Sequence, residues 1–361
     1  MISSQNFLEM RLEFAPYLLK FKEPSGTSRG ILNEKPTFLI KIYDETNPAH
    51  FGIGEAAVFP GLSPEADGNY VWKLTELMAN VAIGRPTELT RHSSIQFGLE
   101  QALLDYSNNC MGVYYPSEFT LGKESIEING LIWMGDFDKM LDRIESKLQE
   151  GYKCIKLKIG AIDWEKELDL IRHIRQRYSE NQLMIRVDAN GGFEFDSCMD
   201  KLYALANLSV HSIEQPIKAG NPEKMAELCK NSPVAIALDE ELIGKGTLKE
   251  RIHTLDVISP QYIILKPALC GGFSGSLEWI EEAGKRGIGW WITSALESNV
   301  GLNAISQFTA SVNATGPQGL GTGNLFTNNF QTPLFLIKDE LSFNPDTLLD
   351  YSQFDGLKWH R

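Results

Sequence analysis

Five charged side chains recur through the middle of the chain at nearly one interval. Lys158, Asp188, Glu214, Asp239 and Lys266 are separated by 30, 26, 25 and 27 residues. Each closes a short apolar run, such as Ile155-Lys156-Leu157-Lys158, Ile185-Arg186-Val187-Asp188 or Ile264-Leu265-Lys266. A spacing of that size is one strand–helix unit, so each group returns to the same height on the next strand of a parallel array. Three carboxylates on neighbouring strand ends repel unless a cation sits among them. A hard, oxygen-liganded ion such as Mg²⁺, with Mn²⁺ able to stand in, meets that need. Lysines on either side of such an ion would face each other across a bound substrate. Taken singly, a strand-end Asp or Glu is more often a helix N-cap, and a lone lysine is more often solvated or ion-paired. The ordered recurrence of all five argues for chemistry.

The elements that must position them follow from the pattern. Lys156 and Lys158 alternate with Ile155, Leu157 and Ile159, as on a strand. Strands in a strand–helix array are covered on both faces, so the lysine face must look into the C-terminal mouth of a barrel. Strands are expected at 126–132, 183–188, 209–214, 234–239, 262–266, 289–293 and 319–320, with the lysine strand among them. Amphipathic helices fall between, one on Phe137, Met140, Leu141, Ile144 and Leu148, and another on Trp164, Leu168, Ile171 and Ile174. About eight such units close naturally into a barrel. The first 120 residues read differently. Strands near 8–14, 37–42 and 52–58, polar loops at 22–30 and 59–64, and helices near 66–81 and 94–106 make a small α+β unit.

Composition narrows the function. With 361 residues, 43% hydrophobic and 22% charged, the chain suits a globular barrel plus a smaller domain. A net charge of −13 argues against nucleic acid, which asks for a basic face, but not against a small anion in a locally positive site. The five cysteines (Cys110, Cys154, Cys198, Cys229 and Cys270) form no CxxC pair and read as reduced thiols. The six histidines show no metal-ligand spacing. No signal pattern opens the chain and no apolar run is long enough for a bilayer, so a cytoplasmic location is expected.

The chain resembles the enolase superfamily, in its muconate-lactonizing-enzyme-like subgroup. The likeness rests on Lys156-x-Lys158, Asp188-x-Asn190, Glu214-Gln215-Pro216, Asp239-Glu240 and Lys266-Pro267, together with the N-terminal unit. It implies a modified (β/α)7β TIM-type barrel with an α+β capping domain. Residues 1–122 would be the cap, 123–328 the barrel, and 329–361 a tail returning to the cap. It also implies Asp188, Glu214 and Asp239 as Mg²⁺ ligands and Lys158 and Lys266 as the acid/base lysines. Such a set removes a proton next to a carboxylate and stabilises the resulting enediolate with the ion.

Two further segments are more specific. Thr293-Ser294-Ala295-Leu296-Glu297-Ser298-Asn299-Val300-Gly301-Leu302 is similar to the seventh-strand motif of o-succinylbenzoate synthases, and Gly319-Leu320-Gly321-Thr322-Gly323-Asn324-Leu325-Phe326 to their eighth-strand loop. The Asp-x-Asp by which dipeptide epimerases hold a substrate ammonium has no counterpart between Gly316 and Phe330. The resemblance implies a lyase of menaquinone biosynthesis. It would dehydrate 2-succinyl-6-hydroxy-2,4-cyclohexadiene-1-carboxylate to o-succinylbenzoate, a syn elimination with Lys158 as base and Lys266 as electrostatic partner. Lys156, Asn190, Ser294, Gly321 and Thr322 would contact this small anionic carboxylate, with Arg29 a candidate clamp. Loops at 26–30 and 51–60 would close the mouth. N-succinylamino acid racemisation, or another epimerisation of the subgroup, uses the same two lysines and stays open at this point. A non-enzymatic metal-binding scaffold is disfavoured by the intact five. A homo-oligomer is compatible with the sequence.

Overall fold

The computed structural model describes residues 10–27, 30–133, 135–160, 163–347 and 349–361. It begins with a long antiparallel hairpin. β1 (Met10–Thr27) pairs with β2 (Gly30–Asp44), and β2 with β3 (Phe51–Ala56). Leu12, Phe14, Ile40 and Ile42 alternate along these strands and are buried beneath α1 (Tyr70–Ala82) and α2 (Ser93–Ser107). The period of two turned one face of the sheet inward, and the helices cover that face. A β-carbon built on Gly54 would lie 2.0 Å from the Gly98 carbonyl oxygen of α2. Only glycine lets strand and helix backbones approach so closely.

Of the polar stretch 22–30, expected as a loop, residues 22–27 instead continue β1 and Gly30 begins β2. The ladder between them breaks between Lys20 and Ser25 and then resumes until Thr27 faces Gly30. The break is filled from the far end of the chain, where Phe21 bridges Phe326 and the Lys22 N–H donates to the Leu325 carbonyl. Ser28 and Arg29 lie outside the described residues, as does the start of the strand expected near Leu8.

The strand expected over 126–132 divides into β4 (Ser125–Glu127) and β5 (Gly130–Ile132), which belong to different sheets. Between them, the Ile128 N–H bonds Asp339 O and the Asn129 N–H bonds Gln318 O, so the chain changes partners there. After β5 come α3 (Phe137–Gln149), β6 (Cys154–Lys158), α4 (Trp164–Arg177), β7 (Met184–Asp188), α5 (Phe195–Ala206) and β8 (Ser212–Glu214). The array continues with α6 (Pro222–Asn231), β9 (Ala235–Leu238), α7 (Leu248–Ile258), β10 (Tyr262–Leu265), α8 (Gly272–Lys285), β11 (Gly289–Ile292) and α9 (Asn299–Ser311). Side-chain caps begin several helices, for example Asp136, Asp163 and the Thr247–Glu250 capping box.

Strands β5 to β11 form one parallel sheet in sequential order. The eighth place, expected as a strand over 319–320, is held by Gln318 and Gly319, which bridge Ile128 and Thr293 respectively. Pro317 before them has no N–H to give and a glycine-rich turn follows, so pairing there stays short. Ile155, Leu157, Ile185, Val187, Ile213, Leu238 and Leu265 share one buried core with the helices, including Leu168, Ile171 and Ile174 of α4. The seven-stranded barrel with a vestigial eighth position and a separate antiparallel N-terminal sheet is the (β/α)7β arrangement with an α+β cap. The five cysteines are free thiols, four of them buried. No described helix is long and apolar enough to cross a membrane.

Residues from 330 onward touch both units. β12 (Leu334–Ile337) and β13 (Glu340–Phe343) form a hairpin that pairs with β4. Phe330, Leu349 and Phe354 then pack on Leu39 and Ile53 of the N-terminal sheet and Val300 of α9. The Tyr351 hydroxyl bonds the buried Asp105 carboxylate, and His360 stacks on Phe14.

The close approach of β3 and α2 gives a direct test. Gly54→Ala is expected to lower the unfolding free energy by about 3 kcal/mol, read from urea denaturation. An unchanged midpoint would show that the two elements are not packed backbone to backbone.

Candidate active site

The carboxyl ends of the barrel strands open into one cavity of about 820 Å³, counted with its open mouth. Strand register sets its floor. Lys158 is the last residue of β6 and stands opposite Asp188, the last of β7, which stands opposite Glu214, the last of β8. Asp239 and Lys266 directly follow β9 and β10. Glu214 itself stands opposite Ala237, so Asp239 lies two residues further along, and all five expected side chains sit at the carboxyl ends of successive strands.

Their charges interleave. Lys156 Nζ lies 3.0 Å from Asp188 Oδ2 and 2.5 Å from Glu214 Oε2. Lys158 Nζ lies 3.2 Å from the same Asp188 oxygen and donates at 2.8 Å to Asn190 Oδ1. Lys266 pairs with Asp239. The three carboxylates are almost fully buried. Two left-handed residues hold the loops beyond them, Asn190 at φ 45° and Gln215 at φ 40°. Asn190 reaches Glu240 through Nδ2, and Gln215 Oε1 accepts the N–H groups of Asp239 and Glu241. Asn190 thus ties the loop after β7 to the loop after β9, and Gln215 ties the loop after β8 to that same loop, which fixes the carboxylates relative to one another.

Burial disfavours charge on Lys156, Lys266 and the three carboxylates, but for most of them the neighbours outweigh it. The Lys156 ammonium is held above the ordinary lysine range because Asp188 and Glu214 outweigh its desolvation. Asp239 and Glu214 do the same for Lys266. Asp188, flanked by Lys156 and Lys158, is held well below the usual carboxylate range against its burial. Glu214 goes the other way. Burial first, and then the charge of Asp188, push it well above the ordinary value.

Glu214 is also where the set is incomplete. Neither of its oxygens has a hydrogen-bond partner, and its contact with Lys156 is charge to charge without hydrogen-bond angles. Among the described residues no three carboxylates close a ready-made ring around an ion, because ammonium groups lie between them. The donors are nonetheless buried, hard and anionic, and of the two Glu214 oxygens only Oε2 faces a cation, that of Lys156. That chemistry fits a divalent cation such as Mg²⁺.

The cavity is lined by Lys156, Lys158, Asp188, Asn190, Lys266, Ser294, Gly321 and Thr322 among the expected residues, while Glu214 and Asp239 lie beneath its floor. Ser294 Oγ and Thr322 Oγ1 are 2.7 Å apart and join the seventh- and eighth-strand segments. Sequence reasoning missed Asn129, Leu131 and Trp133 from the first barrel strand, and Leu62 from the N-terminal unit. The first three alternate at period two, a legible signal; Leu62 carries none. Of the stretch 51–60 expected to close the mouth, only Phe59 lines the cavity, because Phe51–Ala56 is committed to the sheet as β3.

Comparison with known proteins agrees with this geometry. Residues 139–341 match the family model described as enolase C-terminal domain-like. The chain belongs to the enolase superfamily. Its relatives in that superfamily include an o-succinylbenzoate synthase of Desulfotalea psychrophila, 45% identical over 90% of this chain and 96% of that protein. The crystal structure of MenC from Desulfotalea psychrophila superposes with a TM-score of 0.83 at 41% identity, covering 92% of this chain and 99% of that one. The L-Ala-D/L-Glu epimerase of Bacillus subtilis has a TM-score of 0.79 over 94% of this chain and 96% of its own, but at 19% identity it shares the superfamily fold alone.

Breaking the interleaved charges should be costly. Lys156→Met leaves Asp188 and Glu214 without their shared cation, and a loss of about 3–5 kcal/mol is expected in urea denaturation with EDTA present. A loss below about 1 kcal/mol would mean that the ammonium does not balance those carboxylates.

Proposed function

We propose that this enolase-superfamily chain is an o-succinylbenzoate synthase that dehydrates 2-succinyl-6-hydroxy-2,4-cyclohexadiene-1-carboxylate. The observation that carries the reading is the placement of the two lysines. Lys158 ends β6 and Lys266 follows β10, four places apart in a ring of eight, so they approach a bound substrate from opposite sides. The wall formed by 293–296 and 319–322 carries hydroxyls, apolar groups and glycine backbone but no acidic side chain. Such a wall suits an anionic succinyl arm better than an ammonium. The 45% identity to the Desulfotalea psychrophila synthase supports the same substrate.

Enolase-superfamily enzymes typically use Mg²⁺. Here Asp188, Glu214 and Asp239 would hold it, and when bound it supplies a Lewis acid that draws charge from the substrate carboxylate. Lys158 removes the α-proton, and the electron pair moves into that carboxylate. The pair returns as the β-hydroxyl departs, protonated by the same lysine on the same face. One C–H and one C–O bond break, a ring double bond forms, and water leaves as the ring becomes aromatic. Lys266, paired with Asp239, faces the developing negative charge as an ammonium. Asn190 orients Lys158 through its 2.8 Å bond. Phe59, Leu62, Leu131, Trp133 and Leu296 enclose the ring and exclude bulk water. Lys156, Ser294, Gly321 and Thr322 contact the substrate's polar ends. In this reading residues 1–122 act as the cap, 123–328 as the catalytic barrel and 329–361 as the tail, and the enzyme works in the cytoplasm.

The test is loss of the cyclohexadiene absorbance with Mg²⁺ and again with EDTA. Metal-dependent loss is expected from the wild type, and Lys158→Ala should slow it by about 10³-fold or more. Exchange of the α-proton of an N-succinylamino acid in D₂O without dehydration would assign the site to a racemase instead, and there Lys266→Ala would abolish activity outright. For the ion itself, Mg²⁺ at about 100 times its Kd should stabilise the wild type by about 2.7 kcal/mol. Glu214→Gln should lose that gain while keeping at least the wild-type Tm in EDTA, since it removes a carboxylate that burial disfavours. A Tm in EDTA well below wild type would contradict that account.

A further inference from the structure

Outside the lysine–carboxylate set, three more charged side chains are buried together where the N-terminal sheet meets the barrel. Lys35 lies on β2, Glu55 on β3, and Glu297 in the turn between β11 and α9; their exposures are 2%, 0% and 0%. Glu55 is fully supplied with donors. Thr37 Oγ1 and the Ser298 N–H reach one oxygen, and Ser298 Oγ and the Gly301 N–H reach the other. The contacts from Ser298 and Gly301 dock β3 on the start of α9.

Glu297 and Lys35 are not supplied in this way. Glu297 Oε2 accepts the Ala295 N–H at 2.7 Å, but Oε1 is buried without a partner. Lys35 Nζ is likewise buried without a hydrogen-bond partner, 5.8 Å from the centre of the Phe59 ring. The carboxylates whose fields act on it are Glu55 and Glu297. Burial pushes Glu297 up to about 7, partly offset by Lys35, and burial pushes Lys35 down. A lone charge at either position would be strongly disfavoured.

Both side chains also stand directly behind the cavity wall. Through the Ala295 N–H, Glu297 braces a turn in which Leu296 is held at φ 60°, a strained value for leucine. Ala295 and Leu296 line the cavity, and so does Phe59, the ring beside Lys35. The geometry points to Lys35 and Glu297 as positioning residues for the substrate's succinyl arm: two buried side chains, each with an unpartnered polar atom, at the joint of cap and barrel, whose opposite charges link docking of the cap to the shape of the 294–296 wall. This rests on the synthase reading above, in which that wall receives the arm. Neither residue touches substrate, so their loss acts on binding of the arm and not on proton transfer at Lys158.

Lys35→Met and Glu297→Gln, made singly and together, test the pair at a pH above 7, where Glu297 is ionised. Glutamine keeps an acceptor for the Ala295 N–H and removes only the charge. Each single variant is expected to raise KM for the cyclohexadiene carboxylate about tenfold with kcat within about threefold of wild type. The double variant, with no lone buried charge, should return KM to within about threefold. A side chain that merely stabilised the fold would not give this reciprocal rescue. Hydrogen exchange of the 293–298 segment, measured without substrate, should speed up in each single variant and recover in the double. If the wild type fails to dehydrate the substrate, the synthase reading falls, and the exchange cycle still decides the coupling. A single variant that cannot fold beside a double variant that does also meets the expectation. Unchanged KM and exchange in the singles, simple additivity in the double, or a double variant that does not fold would overturn the pairing.

Discussion

The rest of the structure depends on holding three carboxylates out of water on adjacent strand ends. Asp188, Glu214 and Asp239 are each at most 2% exposed, and carboxylates so placed are tolerated only when positive charge is shared among them. Lys156, Lys158 and Lys266 provide it, alternating with the acids around the floor of the cavity. The parallel register makes this possible, because it delivers Lys158, Asp188 and Glu214 to one level on three neighbouring strands. Asn190 and Gln215, in backbone conformations that few residues adopt, then tie the strand-end loops to one another. Within the floor, burial and then the neighbouring Asp188 push Glu214 well above the ordinary carboxylate range.

The division of labour between the two units follows from that floor. In the proposed reading the barrel supplies the reactive groups from rigid strand ends, where small displacements are resisted by a continuous buried core. The N-terminal unit supplies few side chains to the cavity, chiefly Phe59 and Leu62, but these are apolar and cover the charged floor. Its attachment is electrostatic as well as apolar, through Glu55 at the start of α9, and the tail adds Phe330 and Phe354 to the same joint. The fold is shared with an epimerase only 19% identical. The barrel as such therefore does not set the reaction; in the proposed reading the wall at 293–296 and 319–322, and what the cap presents to it, do.

The sequence by itself determined the barrel and the order of its charged strand ends. A period of two within each strand and a recurrence near 27 residues between strands are local signals, and Lys158, Asp188, Glu214, Asp239 and Lys266 carry both. Asn129, Leu131 and Trp133 carried the first signal as well, but polar, apolar and aromatic residues do not announce a shared role. What only the tertiary structure decided are the pairings between distant segments. Residues 22–27 became part of the hairpin, with Leu325 and Phe326 filling its break, and 126–132 split because Asp339 and Gln318 claim its middle. Phe59 reached the cavity, and Lys35 and Glu297 were buried behind its wall, only once the N-terminal sheet had docked on the barrel. Periodicity records the environment of a residue along its own element. It holds no information on which remote element will supply the other half of a contact, and that is settled by the free energy of packing the whole chain.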